Sequence, residues 1–327
     1  MAATADQNLH VYMLSVGQGD TSVIVSPEGN VLIIDVMRPT KVLRLLDDLG
    51  NDNNIEHLVI THPHSDHFSG ANRLATDRTI LKATVAPFWH EFGMGPTTYR
   101  RLMDHLDRQG TNVTFLSGYS RWYPDGALTT PPPGQAPEID PNKPFLELLG
   151  PTNGLVRTLE EANIFQTNHL SIMSRLTWRN FRMISAGDAQ MENWSFFDHE
   201  RMLVDKCQVL RAAHHGSANG TQWERINRLS PSQVIISSDP AATHDLPDLS
   251  GAAIFATFDR VNGQIAAITR DTGTIHLRVT PGGNRTLRMY GDTPAGNVNL
   301  ASNPTPLSEI SNPTDWRALV NDRIEAL

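Results

Sequence analysis

Short apolar runs separated by glycine-containing turns dominate the first third of the chain. Three of these runs are rich in Val and Ile, which predicts β-strands; they occupy residues 10–16, 21–26 and 31–36. Residues 40–50 carry apolar side chains at helical spacing and end in glycine, which predicts a helix with a glycine stop. The next predicted strand, residues 56–62, places His62 at its carboxyl end.

The second half of the chain also alternates strands with helices, but its sequence does not repeat the first half. Strands are predicted at residues 145–151, 169–178, 181–188 and 207–217. The segment "IAAITRDTGTIHLRV" predicts a hairpin whose turn lies near Thr272 and Gly273. Two strand-rich halves that each contain helices indicate an α/β protein with two packed sheets flanked by helices. Strand ends from both halves then meet along one common edge.

Two segments depart from this alternation. Residues 124–144 are rich in proline and predict a long loop, which either links domains or covers an active site. After residue 290 the chain becomes polar and rich in Pro and Asn, and it ends in a predicted short helix. We therefore expect a domain over residues 1–290, followed by a polar tail over residues 291–327.

Composition narrows the class of protein. A net charge of −8 over 327 residues argues against binding nucleic acid mainly through the overall field of the molecule. The single cysteine, Cys207, excludes an intramolecular disulfide. The N-terminus lacks the features of a signal peptide, and no apolar run approaches the roughly 20 residues that span a bilayer. We expect a cytoplasmic protein without membrane contact; the oligomeric state stays open.

The segment "THPHSDHFSG" concentrates metal-binding side chains in six positions. These are His62, His64, Asp66 and His67. The first two lie two residues apart beyond a strand end and can face the same side of an extended turn. A tightening of the chain toward the next helix can direct the other two to a neighbouring point. Imidazole and carboxylate groups are ligands of Zn²⁺ and similar ions, so this spacing predicts two adjacent cation positions.

The second half offers further ligands at strand ends. Asp188 closes the apolar segment "MISAGD", where its carboxylate can bridge two cations. Taken alone, Asp188 is also a plausible N-cap for the helix predicted after it. His214 and His215 end the next strand, and Gly216 after them allows a close backbone approach.

The H-x-H-x-D-H motif of residues 62–67 is that of the metallo-β-lactamase fold superfamily. Five further segments resemble, in order and spacing, the hydrolase domain of ComEC-type DNA-uptake proteins and their soluble relatives. They are "VGQGD" (16–20), "VLIIDV" (31–36), "NHLSI" (168–172), "SAGDAQMENW" (185–194) and "AHHGS" (213–217). The resemblance implies a four-layer αββα sandwich with a dinuclear metal site at one edge of the two sheets.

The resemblance also implies a set of ligands. His62 and His64 would bind the first metal, Asp66 and His67 the second, and Asp188 would bridge both. The family usually has a further histidine on the first metal; the candidate here is His169, with Asn168 as the alternative. A histidine of the "HHGS" segment would complete the second site, and of His214 and His215 we favour His214.

Two more histidines are candidates for the surroundings of the site, and relatives often place a His-Pro near the position of the first of them, His244. His244 follows the predicted strand "QVIISSD" and either contacts substrate or lies in a surface turn. His90, in "PFWHEF", either lines the pocket or is an exposed side chain beside a core aromatic.

These features predict a hydrolase that uses two divalent ions, Zn²⁺ or Mn²⁺. Such a pair lowers the pKa of a shared water and gives a hydroxide nucleophile at neutral pH. Asp66 and Asp188 are the expected catalytic carboxylates. The favoured substrate is a small-molecule or nucleic-acid phosphodiester, so the enzyme is a phosphodiesterase or nuclease. The alternatives are a carboxylic ester or lactone hydrolase on the same site, and an inactive metal-binding module.

Overall fold

The computed structural model describes residues 6–51, 54–87, 97–122, 140, 142–199, 206–220, 226, 228–239, 246–247 and 265–306. Two β-sheets pack face to face within this part of the chain, and helices cover their outer faces. The predicted αββα sandwich is therefore confirmed. Among the described residues, no helix is long and apolar enough to cross a membrane.

The first sheet contains nine strands in the spatial order β16-β15-β14-β1-β2-β3-β4-β5-β6. Their bounds are β1 Leu9–Met13, β2 Ser22–Val25, β3 Val31–Ile34, β4 Asn54–Ile60, β5 Thr79–Val85, β6 Asn112–Phe115, β14 Ile275–Val279, β15 Arg285–Met289 and β16 Thr305–Pro306. Strands β3 to β6 run parallel to one another, and β14, β1, β2 and β3 form antiparallel pairs.

The second sheet contains seven strands in the order β13-β12-β11-β10-β9-β8-β7. Their bounds are β7 Tyr119–Trp122, β8 Phe145–Leu149, β9 Met173–Trp178, β10 Phe181–Ser185, β11 Val209–Arg211, β12 Gln233–Ile236 and β13 Ile265–Ile268. Strands β10 to β13 are parallel, whereas β7 to β10 are antiparallel.

The described helices are α1 Pro39–Asp48, α2 Ser65–Phe68, α3 Ala71–Asp77, α4 Thr97–Arg108, α5 Asn153–Glu161, α6 Met191–His199 and α7 Thr269–Thr272. All but one of them lie between strands that are parallel or change sheet; the exception is α5, which connects the antiparallel strands β8 and β9. Helices α1, α3 and α4 bury apolar residues against the first sheet, and α6 buries Trp194 and Phe197 against the second. Two 3₁₀ turns, Thr167–Leu170 and Ala213–Gly216, lie at strand ends.

The continuous apolar runs follow from burial on both faces of the strands. In β3, Leu32 and Ile34 face the core between the sheets, while Val31 and Ile33 face the helices. Side chains alternate across a strand, so a strand covered on both sides is apolar throughout. The carboxyl ends of β4 and β10 lie at the same edge of the sandwich, and His62 and Asp188 follow them there.

The predicted hairpin over residues 265–279 is wrong. Strand β13 belongs to the second sheet and pairs with β12, whereas β14 belongs to the first sheet and pairs with β1. Helix α7 carries the chain from one sheet to the other between them. The local sequence suggested a hairpin because two apolar runs flank a glycine, but pairing across the sandwich decides the partners.

The polar segment after residue 290 packs onto the domain through residue 306. Val298 is buried against the helices of the first sheet, and β16 pairs with β15. Asp292 forms a buried ion pair with Lys41, and it accepts hydrogen bonds from Thr274 N (2.7 Å) and Oγ1 (2.9 Å). The polar residues of this segment thus satisfy buried partners; the boundary at residue 290 stays a prediction. The predicted C-terminal helix and nearly all of the Pro-rich loop lie outside the described residues.

Candidate metal centre

The histidine-rich segment changes direction at His64. Thr61 and His62 continue from β4, and His64 is still extended (φ −88°, ψ 144°). The helical turn α2 begins at the next residue, and His67 N donates to His64 O (3.0 Å) to close it. This turn separates the first pair of ligands, His62 and His64, from Asp66 and His67, as the spacing predicts.

Asp188 lies between these two pairs. Its Oδ1 is 3.2 Å from His67 Nε2, and its Oδ2 is 3.6 Å from His62 Nε2. Gly187 (φ +53°) makes this position possible, because a Cβ there would lie 3.0 Å from Thr61 Cβ. The Ser171 hydroxyl accepts a hydrogen bond from Asp188 N (3.1 Å) and fixes the backbone.

The donor atoms form two groups that share Asp188. The first group contains His62, His64 and Asp188, and the second contains Asp66, His67, Asp188 and His215. Within each group the potential ligand atoms all lie within 4.8 Å of one another.

Several of these atoms have no hydrogen-bond partner among the described residues. They are the Nε2 atoms of His62, His67 and His215 and the Oδ1 atom of Asp188, and all are buried. A buried polar atom without a partner costs about 1–3 kcal/mol. Four donors at about 2.0–2.2 Å from one Zn²⁺ would lie about 3.3–3.6 Å apart in a tetrahedral site. The separations around Asp188, 3.2–3.6 Å for its contacts with these three histidines, fit that arrangement.

The carboxylates of the second group raise the pKa of its histidines. Burial alone would lower the pKa of His215, but the Asp188 charge and Asp66 raise it to about 9. The pKa of His67 is likewise raised, against burial, by the charges of Asp188 and Asp35. In the first group, burial and the neighbouring His67 hold the pKa of His62 well below its usual range. Its Nδ1 lies 3.2 Å from Thr61 Oγ1, and its Nε2 faces Asp188.

Asp35 orients His67, a role that the sequence reasoning did not assign. Its Oδ2 lies 2.7 Å from His67 Nδ1, and its two oxygens accept from Thr61 N (2.8 Å) and Thr61 Oγ1 (2.7 Å). A carboxylate on Nδ1 leaves the Nε2 lone pair of an imidazole directed at a metal. The signal in the sequence was an aspartate that directly follows the apolar run of β3.

Arg211 joins the two sheets beneath the second group. Its guanidinium is 1% exposed and donates to Asp20 Oδ1 (2.7 Å) and to the Ser22 hydroxyl. Asp20 in turn donates its backbone N–H to Asp66 O (3.2 Å). Both residues were missed as parts of the site, although an arginine in the apolar run of β11 and the acidic end of "VGQGD" were visible signals.

The structure does not bring His169 to either donor group. This buried imidazole accepts from Gln166 N at Nδ1 (2.8 Å) and donates from Nε2 to Glu192 (3.1 Å). It therefore fixes the 3₁₀ turn that precedes β9, and both its nitrogens are used. The adjacent Asn168 points to the centre instead, with Nδ2 3.1 Å from His214 Nε2. His169 thus lies outside both donor groups, and its role as a ligand stays a prediction.

His215, rather than the favoured His214, belongs to the second group. His215 Nε2 lies 3.4 Å from Asp66 Oδ2 and 3.5 Å from Asp188 Oδ1. Its Nδ1 donates to Ser237 O (2.8 Å), which leaves the Nε2 lone pair toward the carboxylates. His214 faces the other oxygen of Asp188, at 3.8 Å from Oδ2. His90 and His244 lie outside the described residues.

Comparison with known proteins identifies the superfamily of this chain. The sequence profile of the metallo-beta-lactamase superfamily matches residues 14–223. The chain therefore belongs to the metallo-β-lactamase superfamily, whose members are mostly metal-dependent hydrolases. Among curated protein sequences, no significant match was found.

Solved structures share the fold at low sequence identity. A mutant of the CmlA beta-hydroxylase aligns with 84% of this chain at 12% identity and a TM-score of 0.51, and the match spans 54% of that protein. The metallo-beta-lactamase fold protein YhfI from Bacillus subtilis aligns with 82% of this chain and 99% of its own, at 10% identity and a TM-score of 0.46. Tm1679, a metal-dependent hydrolase, aligns with 80% of this chain and 95% of its own (12% identity, TM-score 0.48). Likeness at these identities concerns the fold alone.

Proposed function

We propose that this protein is a phosphodiesterase that holds two divalent cations, Zn²⁺ or Mn²⁺, around Asp188. The observation that carries the proposal is the position of this carboxylate between two sets of histidines. Oδ1 lies near His67 and His215, and Oδ2 lies near His62. The proposed ligands are His62, His64 and Asp188 for the first cation, and Asp66, His67, Asp188 and His215 for the second.

Bound at these positions, two cations would lower the pKa of a water held between them and offset charge in the transition state. Asp66 is the carboxylate placed to act on that water, because its side chain is 29% exposed whereas that of Asp188 is 3% exposed. Burial would raise the pKa of Asp66, but His215 and the charge of His67 hold it below its usual range. An ionised Asp66 can accept a hydrogen bond from water and orient it toward substrate.

Two considerations favour a phosphodiester substrate, and a third limits its size. Paired cations suit an in-line displacement, because they stabilise the attacking and the leaving oxygen together. The motif order resembles that of ComEC-type hydrolase domains. The net charge of −8 disfavours tight binding of a long polyanion, which leaves short nucleic acids or small phosphodiesters as the preferred class.

The test is hydrolysis of bis-p-nitrophenyl phosphate by the purified protein with Mn²⁺ or Zn²⁺, beside p-nitrophenyl acetate as the carboxylic ester. We expect metal-dependent turnover of the phosphodiester that is abolished by chelation and falls at least about 100-fold in Asp66→Ala. Turnover of the acetate alone by a fully metallated protein would contradict the phosphodiesterase proposal and favour ester or lactone substrates.

Glu161→Ala provides the matched control. This substitution also removes a carboxylate, but Glu161 is 66% exposed on α5 and forms an ion pair with the exposed surface residue Arg157 one turn earlier. We expect this variant to keep the turnover of the unmodified chain. A loss equal to that of Asp66→Ala would indicate that the assay reports general damage rather than loss of the centre.

A further inference from the structure

We propose that His214 is the fourth protein ligand of the first cation, an inference that rests on the dinuclear centre proposed above. Without it the two positions are unequal, since the first has three donors and the second has four. With His214, each cation would have four protein ligands, one of which, Asp188, is shared. The family's usual additional ligand would come from the segment before β9, where His169 is already bonded to Gln166 and Glu192.

The position of His214 Nε2 is the first argument. It lies 3.8 Å from Asp188 Oδ2, the same oxygen that lies 3.6 Å from His62 Nε2. Two imidazole nitrogens thus flank one carboxylate oxygen at separations near those of neighbouring ligands on one metal. His215 has the equivalent relation to Oδ1 at 3.5 Å. His214 therefore lies beside Oδ2 of Asp188, and the adjacent His215 lies beside Oδ1.

The tautomer of His214 is the second argument. Its Nδ1 lies 2.8 Å from Asn219 Oδ1, which also accepts from the Ser217 hydroxyl (2.8 Å). An amide oxygen can only accept, so His214 Nδ1 carries the proton and Nε2 is the acceptor. Nε2 accepts from Asn168 Nδ2 (3.1 Å), a hydrogen bond that a bound cation would replace. A hydrogen bond on one ring nitrogen with the other directed at a metal is the usual arrangement of a histidine ligand.

Backbone strain is the third argument. His214 (φ +50°, ψ 47°) and His215 (φ +53°, ψ 27°) are consecutive left-handed residues, and neither is glycine. Such conformations cost of order 1–3 kcal/mol each and are retained where the surroundings demand them. His214 N donates to Gly187 O (2.9 Å), which ties this turn to the residue before Asp188. An ordinary strand would send adjacent side chains to opposite faces, whereas this turn directs both histidines to one carboxylate.

Asn168 is the competing ligand. Its Nδ2 lies 3.1 Å from His214 Nε2, on the side where the imidazole lone pair points. Its Oδ1 is buried and has no hydrogen-bond partner among the described residues. A rotation of the amide would present this oxygen to a cation, so the experiment must separate His214 from Asn168.

The experiment measures the affinity of each cation by competition with a chromophoric chelator, together with the visible spectrum of the Co²⁺-loaded protein. The variants are His214→Gln, His214→Ala, Asn168→Ala, Asn219→Ala and His169→Gln. We expect both His214 variants to weaken one of the two cations by at least about 100-fold and to change the Co²⁺ spectrum. Asn219→Ala should weaken the binding of the same cation by about 10-fold, because it removes the hydrogen bond that keeps the proton on Nδ1 of His214. His169→Gln should retain both cations.

Each outcome decides a separate claim. Two cations bound by His214→Gln and His214→Ala with unchanged affinity and spectrum would overturn the assignment of His214. The same result with a large loss in Asn168→Ala would transfer the role to Asn168. Failure of the unmodified protein to bind two cations would instead contradict the proposed function. Circular dichroism of each variant separates loss of a ligand from loss of the fold.

Discussion

At the scale of single residues, the proposed centre depends on which ring nitrogen of each histidine forms a hydrogen bond within the protein and which one faces Asp188. Asp35 holds Nδ1 of His67, and Ser237 O accepts from Nδ1 of His215. In both histidines, Nε2 then faces Oδ1 of Asp188. These partners determine whether a cluster of imidazoles forms a metal site or a set of internal hydrogen bonds.

We expect Asp35→Asn to weaken the second cation by about 10–100-fold while the first is retained. The amide cannot accept through both of its terminal atoms, so either Thr61 or His67 loses its acceptor. Chelator competition on the two cations separately measures the effect. Equal weakening of both cations, or none, would show that Asp35 does not act through His67.

Metal loading should release protons. His215 has a pKa raised to about 9 and the pKa of His67 is raised well above its usual range, so both are protonated near pH 7 without metal. A cation must displace these protons. We expect release of about two protons per chain and a metal affinity that rises with pH up to about 9. Calorimetry in buffers with different ionisation heats measures the release; heats independent of buffer would contradict it.

At the scale of elements, a loop and a helical turn fix the position of Asp66. The loop that precedes β2 contacts α2, and Asp20 N donates to Asp66 O (3.2 Å). Gly19 (φ +153°) lies so close that a Cβ there would be 2.6 Å from Asp66 O and 2.9 Å from Met37 Cγ. The second glycine of "VGQGD", Gly19, is therefore needed for packing against the turn that carries Asp66.

Gly19→Ala should displace this turn and reduce the affinity of the second cation at least about 10-fold, with a stability loss of about 1–3 kcal/mol. Gly50→Ala is the matched control, because Gly50 also has a positive φ (+70°) but a Cβ there would meet nothing within 4 Å. It should cost about 1–2 kcal/mol of stability through backbone strain alone. Metal titration and thermal unfolding of both variants test this; equal metal affinities would contradict the packing argument.

Local patterns predicted the elements well, but not every partner. The apolar runs of β1 to β4 lie within a few residues of their predicted positions. The hairpin prediction for residues 265–279 was wrong because a hairpin and a crossover have the same local pattern. Only the pairing of β13 with β12 and of β14 with β1 distinguishes them. The contact of His169 Nε2 with Glu192 could not be read from the local pattern for a similar reason, since Glu192 lies 23 positions away.

At the scale of the whole molecule, buried charge couples the two sheets. Arg211 from the second sheet pairs with Asp20 beside the first sheet. A second buried pair joins Lys41 of α1 to Asp292, which lies in the segment that follows β15. Neither pair could be predicted from sequence, because each joins residues more than 180 positions apart. The edge on which the ligands meet was predictable, since strands β4, β10 and β11 each end in a candidate ligand.

Stability should fall in mild acid because of His57. Burial lowers its pKa to about 3 in the folded protein, against 6.5 for the free side chain. Below pH 6.5, His57 binds a proton in the unfolded chain but not in the folded chain. The free energy of unfolding therefore falls as the pH falls from 6.5 toward 3. At about 1.4 kcal/mol per pH unit, the loss from pH 7 to pH 4 is roughly 3 kcal/mol.

Urea unfolding of the unmodified chain and of His57→Gln at several pH values between 7 and 4 measures this effect. The substitution itself lowers stability at every pH, so the slope with pH is the quantity to compare. We expect a shallower slope in the variant. Identical slopes would assign the acid sensitivity to other groups.

The most direct test of the central claim is anomalous X-ray scattering from crystals grown with Zn²⁺ or Mn²⁺. Two peaks are predicted, about 3.5–4 Å apart on either side of Asp188. One should lie near His62 and the other near His67 and His215. A single peak, or no peak in a folded protein soaked at saturating metal, would contradict the dinuclear centre and with it the proposed hydrolase.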